Sequence, residues 1–345
     1  MKIFIETFGC PSNKDNSEIM KSLLLKHELV DSAEKADTII INTCTVIHKT
    51  EQKMISRIRK YKNKKLIITG CMATTQKELL KKEAPSASII NTHNITKIEQ
   101  ALKKQVVLIK RRKEEKVGIK KNNNIIQILQ GCKGACTFCI TRLEKGKLYS
   151  YSKKKILESF KEAIKHHKTI YLTSQDNACY GLDKNEISKL PELLRDILKI
   201  GGKYQIRIGM MNPQHTLPIL KELIEIYKDT RTKKFIHIPM QSGSNKILKE
   251  MNRFHSVEDF KKIVKVFRKE IPSIHIATDI IVAYPTETEA DFKKTLKLIK
   301  EIKPEVINIS RFTPRPGTPA ARLKQHLSEV AKERSRKLSL LIKDL

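Results

Sequence analysis

The sequence predicts an α/β protein in which an N-terminal parallel-sheet domain is followed by a partial barrel of six β/α units. Three observations predict it. Short β-branched runs alternate with lysine-rich amphipathic stretches, the pattern of a parallel sheet covered by helices. In the second half such runs recur at intervals of about thirty to forty residues, the length of one strand plus its crossover helix. Between the halves lies KRRKEEKVGIKKNNN (110–124), a charged stretch without periodicity. The domains are therefore expected at 1–108 and 124–345, joined by a basic linker over 109–123. With 345 residues there is enough chain for two cores.

In chain order, the first half offers strands at KIFIET (2–7), DTIIIN (37–42), KLIITG (65–70) and SIIN (88–91). Helices are expected at SEIMKSLLLKHEL (17–29) and TEQKMISRIRKY (50–61). The second half offers IIQILQ (125–130), TIYLTS (169–174), YQIRIG (204–209), KFIHIP (234–239), HIATDIIVAY (275–284) and VINIS (306–310). Six units make a partial barrel, and the chain is short for a full eight.

Composition excludes several classes. No apolar run approaches the roughly eighteen residues of a membrane span, and MKIFIETFGC lacks the basic and apolar regions of a signal peptide. A soluble, cytoplasmic protein with no membrane partner is expected. In a reducing compartment, seven cysteines point to metal binding, catalysis or packing before disulfides. Lys and Arg number 69 against 37 Asp and Glu, a net charge of +32. Such an excess points to a polyanionic partner, nucleic acid first, because each neutralised phosphate releases a counterion. A genome-wide bias towards Lys and Ile is the competing explanation.

Cys10, Cys44 and Cys71 each follow the carboxyl end of their own predicted strand. In open parallel sheets ligands gather at that edge, where the loops leaving adjacent strands meet. Cys132, Cys136 and Cys139, within GCKGACTFCI, follow the first strand of the second half, in the loop where a barrel keeps its chemistry. A structural zinc site would need a fourth ligand, and the nearest candidates, His166 and His167, lie beyond a second helix. An iron-sulfur cubane held by three thiolates, with one iron left open, is better served.

The wording CTFCI resembles the radical S-adenosylmethionine (SAM) enzymes. Almost the whole chain is similar to one subgroup, the methylthiotransferases, through TFGCPSNKDNSEIM, NTCTV, TGCMA, HIPMQSGSNKILKEMNR, TDIIVAYPTETEADF and SRFTPRPGTPAA. GCKGACTFCITRLEKGKLYSY and LTSQDNACYGLD most resemble the archaeal and eukaryotic branch acting on threonylcarbamoyl-adenosine of tRNA. The resemblance implies two 4Fe-4S clusters. Cys132, Cys136 and Cys139 would hold the one that binds and cleaves SAM, and Cys10, Cys44 and Cys71 the one that delivers sulfur. It also implies tRNA as substrate, methylthiolated beside the anticodon, a sulfur donor, and an electron donor such as a ferredoxin or flavodoxin. Two alternatives are a methylthiotransferase acting on another tRNA adenosine or a ribosomal protein, and a non-enzymatic metal-containing RNA-binding protein.

By the same resemblance Ser174, Gln175 and Asp176, with Gln241 and Ser242, would contact SAM; ordinary loop capping is the other reading. Phe138 would neighbour the adenine, or simply pack. Cys179 reads as a core residue, and the histidines show no ligand spacing. The segments IKRRK (109–113) and RLKQHLSEVAKERSRKL (322–338) are candidates for phosphate contact or solvated helix faces. Relatives of this kind continue into a small RNA-binding domain called TRAM. None is expected here, so either the sequence is cut short or the basic barrel and tail bind RNA. Ala283 and Thr286 stand where glycines are expected, which puts the backbone contacts of that loop in question.

Overall fold

The computed structural model describes residues 1–45, 48–109, 115–119 and 123–343. Contacts divide the chain into two compact units, Met1–Gly131 with Ile140–Thr173, and Cys132–Cys139 with Ser174–Leu345. The basic run IKRRK lies outside the described residues apart from Ile109.

The first unit is built on β1 (Lys2–Thr7), β2 (Glu28–Leu29), β3 (Thr38–Thr43), β4 (Lys65–Gly70), β5 (Ser88–Asn91) and β6 (Val107–Leu108). They form one parallel sheet in the order β2-β1-β3-β4-β5-β6. Its helices are α1 (Pro11–Leu23), α2 (His48–Tyr61), α3 (Met72–Thr75), α4 (Lys77–Glu83) and α5 (Ile98–Lys103). Successive strand residues face opposite layers, so the isoleucine runs feed two cores. Ile39, Ile41 and Ile68 pack with Met54, Ile58 and Leu80 on one side. Ile3, Ile40 and Ile67 pack with Ile19, Met20 and Ile98 on the other.

The predicted strands fall where expected, and the first helix does not. It starts at Pro11, six residues before Ser17, because a proline at the first helical position has φ already set and no donor to waste. It ends at Leu23 rather than Leu29, since Glu28 and Leu29 are drawn into the sheet edge against Lys2 and Ile3. The same unit holds β7 (Ile125–Gln127), β8 (Leu129–Gln130), α6 (Ile140–Lys145), β9 (Tyr149–Ser150), α7 (Lys153–His166) and β10 (Thr169–Thr173). The run expected as one strand over 125–130 is thus split: β7 pairs in parallel with β10, and β8 pairs antiparallel with β9.

The second unit carries α8 (Leu190–Leu198), β11 (Gln205–Ile208), α9 (Pro213–Thr216), α10 (Leu220–Lys228), β12 (Phe235–His237) and α11 (Asn245–Glu250). It continues through α12 (Val257–Glu270), β13 (His275–Val282), α13 (Glu289–Ile302), β14 (Val306–Arg311) and α14 (Ser328–Lys343). Strands β12, β13 and β14 form a parallel sheet. Both α12 and α13 open on reciprocal capping boxes, Ser256 with Asp259 and Thr288 with Asp291. Among the described residues no helix is long and apolar enough to cross a membrane.

Candidate metal centres

In the first unit the strand order reverses between β1 and β3, the point at which open parallel sheets bind ligands. Cys10 follows β1 as the cap of α1, Cys44 directly follows β3, and Cys71 directly follows β4 as the cap of α3. Cys10 is exposed, and Cys44 and Cys71 are buried. The loops are locked together by Asn13, whose Nδ2 donates to Phe8 O (2.9 Å) and Thr43 O (2.7 Å). Its Oδ1 accepts from the Cys71 thiol at 3.9 Å. Asn42 donates in turn to Asn13 O and Ser17 Oγ, each at 2.8 Å. One buried amide therefore touches the approach to all three cysteines.

Glycine makes this closeness possible. Gly9 and Gly70, each directly before a cysteine, have φ of +98° and +92°, a region that L side chains rarely adopt. A Cβ on Gly9 would lie 2.7 Å from Cys44 Cβ, and one on Gly70 would run into the backbone of Thr43. The sequence also repeats the pair before the barrel set, with Gly131 at φ +92° ahead of Cys132.

Sequence reasoning missed the charges around this site. Glu144 and Lys145, at the end of α6, are both buried. Thr92 Oγ1 donates to Glu144 at 2.8 Å, and burial pushes that carboxyl up. Burial also pushes the Cys71 thiol well above the usual thiol range, with Lys145 as the largest opposing influence. Burial works against the Lys145 ammonium, but charge interaction with Cys71 and Glu144 outweighs it and holds it above the usual lysine range, helped by Cys10 and Cys44. Three thiols at a sheet edge with a buried cation beside them suit an anionic thiolate-held group.

In the second unit Cys132, Cys136 and Cys139 are all partly exposed. Their loop is held from below: Thr137 N donates to Met251 O (3.1 Å), Ala320 N to Thr137 O (3.0 Å) and Asn252 Nδ2 to Ala135 O (2.9 Å). The sulfurs receive donors. Gly134 N is 3.1 Å from Cys132 Sγ and Arg253 Nη1 is 3.4 Å from Cys136 Sγ. A Cβ on Gly134 would lie 3.3 Å from Cys132 Sγ and 3.8 Å from Cys136 Sγ, so the bare backbone leaves both sulfurs clear. Amide and guanidinium donors aimed at accessible sulfur fit thiolate ligation of a cluster.

Phe138 rests on an apolar cluster of Ile247, Met251, Tyr284 and Ala320. Ser174 Oγ donates to Asn177 Oδ1 at 3.0 Å, and Gln175 beside it is partly exposed. Asp176 is wholly buried, with its oxygens taken by Ala178 N, Asn212 and His215. Gln241 sits at φ +78° between Asp279 O and Ile281 N, and Ser242 Oγ accepts from Ser244 N. Ala283 adopts φ +59°, so the loop keeps the left-handed turn for which a glycine was expected. Thr286 donates instead to the Glu250 carboxylate.

Cys179 is buried, as expected of a core residue, yet it lies against Cys132. A hydrogen bond from the Cys179 thiol holds Cys132 below the usual thiol range against burial; the same bond, with burial, pushes Cys179 far up. The histidines have no ligand spacing in sequence, but His215 joins this group through space, 3.1 Å from Cys179 Sγ. In the tail, Arg334 and Leu338 are buried while Arg322, Lys324, Lys332, Arg336 and Lys337 are exposed.

Residues 2–92 match the uncharacterized protein family UPF0004, and residues 126–299 match the radical SAM superfamily. The chain is 41% identical to the probable threonylcarbamoyladenosine tRNA methylthiotransferase of Pyrococcus horikoshii, over 98% of this chain and 83% of that protein. It is equally close, at 41%, to the corresponding protein of Archaeoglobus fulgidus, over 100% and 84%. The human threonylcarbamoyladenosine tRNA methylthiotransferase is 35% identical, over 98% and 62%. Among solved structures, the radical SAM methyltransferase TsrM from Kitasatospora setae aligns over 93% of this chain and 76% of its own, with a TM-score of 0.66 at 12% identity. The radical SAM enzyme OxsB aligns over 99% and 56%, with a TM-score of 0.63 at 13% identity. At such identities the likeness is one of fold.

Proposed function

The chain belongs to the threonylcarbamoyladenosine tRNA methylthiotransferase family, and from that premise we propose that it converts N6-threonylcarbamoyladenosine beside the anticodon of tRNA into its 2-methylthio derivative. The observation that carries the reading is the pairing of two separate three-cysteine sites with near-full-length similarity to proteins of that name. In this reading residues 1–108 form the sulfur-delivering domain, 109–123 a basic linker and 124–345 the radical domain.

Cys132, Cys136 and Cys139 would hold one 4Fe-4S cluster, and Cys10, Cys44 and Cys71 a second. When bound, the first would supply an electron for the reductive cleavage of SAM, and the second would supply the sulfur that ends on the base. The chain's own residues prepare both sites. Gly134 N and Arg253 donate to the Cys132 and Cys136 sulfurs and would support them as ligands of a bound cluster. Asn13 fixes the spacing of the three N-terminal loops, and Lys145 offsets their negative charge. Ser174, Gln175, Gln241 and Ser242 are assigned to SAM, with Phe138 beside its adenine; Asp176, already saturated, anchors that loop. No acid-base pair is required, because the target carbon is neither acidic nor electrophilic enough for that chemistry.

The +32 charge supports a tRNA substrate, and a single-stranded anticodon loop can splay its base into a pocket where a duplex cannot. The exposed basic residues of α14 suit phosphate contact. A ferredoxin or flavodoxin as electron donor, a separate sulfur donor and a cytoplasmic setting complete the proposal. The test is anaerobic reconstitution of the full chain with iron and sulfide, followed by incubation with SAM, reductant and tRNA that carries the threonylcarbamoyl group. Mass spectrometry of the nucleosides should find the methylthio product. Product on ribosomal protein instead, or recovery of one zinc and no iron, would overturn the reading.

A further inference from the structure

Two features that stand apart in the sequence meet in the second unit: the turn with Ala283 where a glycine is expected, and the basic helix α14. Ala283 adopts φ +59°, a left-handed conformation unfavourable for any residue with a Cβ. Glu287 closes that turn from both ends. Its Oε2 accepts from Ala283 N at 2.7 Å, and its own N donates to Tyr284 O at 2.8 Å. Glu287 is 1% exposed, and the cation that meets it comes from α14. Arg334 Nη1 donates to the same Oε2 at 2.7 Å and to Glu287 O at 3.0 Å. Arg334 is itself buried, its guanidinium carbon 5.4 Å from the centre of the Phe292 ring, whereas Arg322, Lys332, Arg336 and Lys337 are exposed.

From the turn, contacts run on to the cysteine loop. Tyr284 Oη shares a hydrogen bond with Thr137 Oγ1 at 2.9 Å and donates to Glu250 O at 3.1 Å. The buried Tyr284 ring belongs to the apolar cluster on which Phe138 rests. Thr137 and Phe138 lie between Cys136 and Cys139. We propose that Arg334 is a positioning residue for the cysteine loop: by holding Glu287 on the Ala283 turn it fixes Tyr284, and Tyr284 fixes Thr137 and Phe138.

The chemistry of the pair favours position over stability as its role. A buried ion pair contributes little compared with apolar residues of similar volume, whereas losing one partner strands the other's charge. This pair is also unsaturated: among the described residues Glu287 Oε1 and Arg334 Nε have no hydrogen-bond partner. Burial pushes the Glu287 carboxyl up, and the Ala283 amide and Arg334 oppose that rise. Without the guanidinium the carboxyl either takes up a proton, which weakens its bond to Ala283 N, or swings towards solvent, which breaks it. Either way the left-handed alanine loses the support of its amide's acceptor. With Phe138 assigned to the adenine of SAM, as above, the clamp also sets SAM affinity; the clamp itself does not rest on that assignment.

Hydrogen-deuterium exchange of the metal-free full chain reads the clamp. In Arg334→Met, peptides covering 283–287 and 136–139 should exchange about tenfold faster than in the parent, the effect of losing roughly one hydrogen bond to a charged group. Peptides of α12 and β12 should keep their rates, which a general loosening of the unit would not allow. Adding Glu287→Gln to Arg334→Met should bring both segments back towards the parent, because the amide oxygen still accepts from Ala283 N and no charge is stranded; a defect of packing alone would persist. Faster exchange confined to α14 and 283–287, with 136–139 unmoved, would overturn the proposal. Arg334→Lys, which keeps a cation beside Glu287, serves if the methionine variant fails to fold: a smaller change in the same two segments is expected, and none at 136–139 again overturns it. In the reconstituted chain, Arg334→Met should weaken SAM binding about tenfold in equilibrium dialysis at parental iron content. Faster exchange with unchanged SAM affinity would support the clamp and overturn the placing of Phe138 at the adenine.

Discussion

The two three-cysteine sites are built in opposite ways. Cys10, Cys44 and Cys71 lie far apart in sequence and are brought to one edge by adjacent parallel strands, two of them buried. Cys132, Cys136 and Cys139 fall within one loop and are all partly exposed. The first site is fixed by strand register and by Asn13, the second by hydrogen bonds to Met251 and from Asn252, Arg253 and Ala320. A scaffold that sets its ligands by register admits little adjustment, whereas a loop can close around what it binds and still open to a small molecule. That contrast suits the division of labour proposed above, between sulfur delivery and cofactor cleavage.

The largest test separates the two jobs. Cys10, Cys44 and Cys71 changed together to alanine should leave SAM cleavage to 5'-deoxyadenosine intact and abolish the methylthio product. The same change at Cys132, Cys136 and Cys139 should abolish both, each triple variant losing about half of the roughly eight irons that two four-iron clusters contain. Chromatography of deoxyadenosine, iron analysis and nucleoside mass spectrometry read the outcome; wild-type product from the N-terminal variant would erase the contrast.

Rigidity is tested next. Gly70→Ala forces a side chain into the left-handed region and into the Thr43 backbone, and should cost about 2–4 kcal/mol in denaturant unfolding of metal-free chain. Gly134→Ala, with φ outside that region and neighbours at 3.3 and 3.8 Å, should cost under about 1 kcal/mol while lowering iron occupancy of the loop. Equal costs would mean that the sheet edge is no stiffer than the loop.

A third change addresses charge. Lys145→Met removes the buried cation beside the N-terminal thiols. It should lower the reduction potential of that site's cluster and weaken its retention, leaving deoxyadenosine formation unchanged. A potential that stays put would reduce Lys145 to a packing residue.

The smallest effect is a control in the second unit. Burial raises the Asp291 carboxyl, but bonds from Thr288 and Ser244 prevail and hold it at about 2. A depressed carboxylate stabilises the fold above its unfolded value near 3.8, and that stability is lost as pH falls towards 2. On the order of 1–2 kcal/mol should disappear between about pH 4 and 2, and Asp291→Asn should flatten this part of the acid unfolding curve.

Much of the architecture was legible because parallel strands buried on both faces read as isoleucine runs, and cysteines at their ends stand out. The start of α1 was misplaced because a polar first turn, PSNKDN, hides its buried face: Asn13, Asp15 and Asn16 are buried through hydrogen bonds rather than apolarity. The split in IIQILQ was invisible, since Ile128 leaves the ladder to bond Thr173 O, a distant partner. Lys145 and His215 escaped for the same reason: each matters through neighbours that only folding supplies.

The register of the N-terminal sheet also sets an order of events in time. Ile3 pairs with Thr38, and Thr38 with Lys65, so no two of Cys10, Cys44 and Cys71 meet until non-local strands have paired. A newly made chain therefore exposes its thiols singly, with little chance of capturing a stray ion or forming a disulfide within this trio. Under the proposed assignment, metal would enter here late, on a finished scaffold. A chain stripped of iron should keep its sheet and be refilled, unlike domains whose folding waits for the metal.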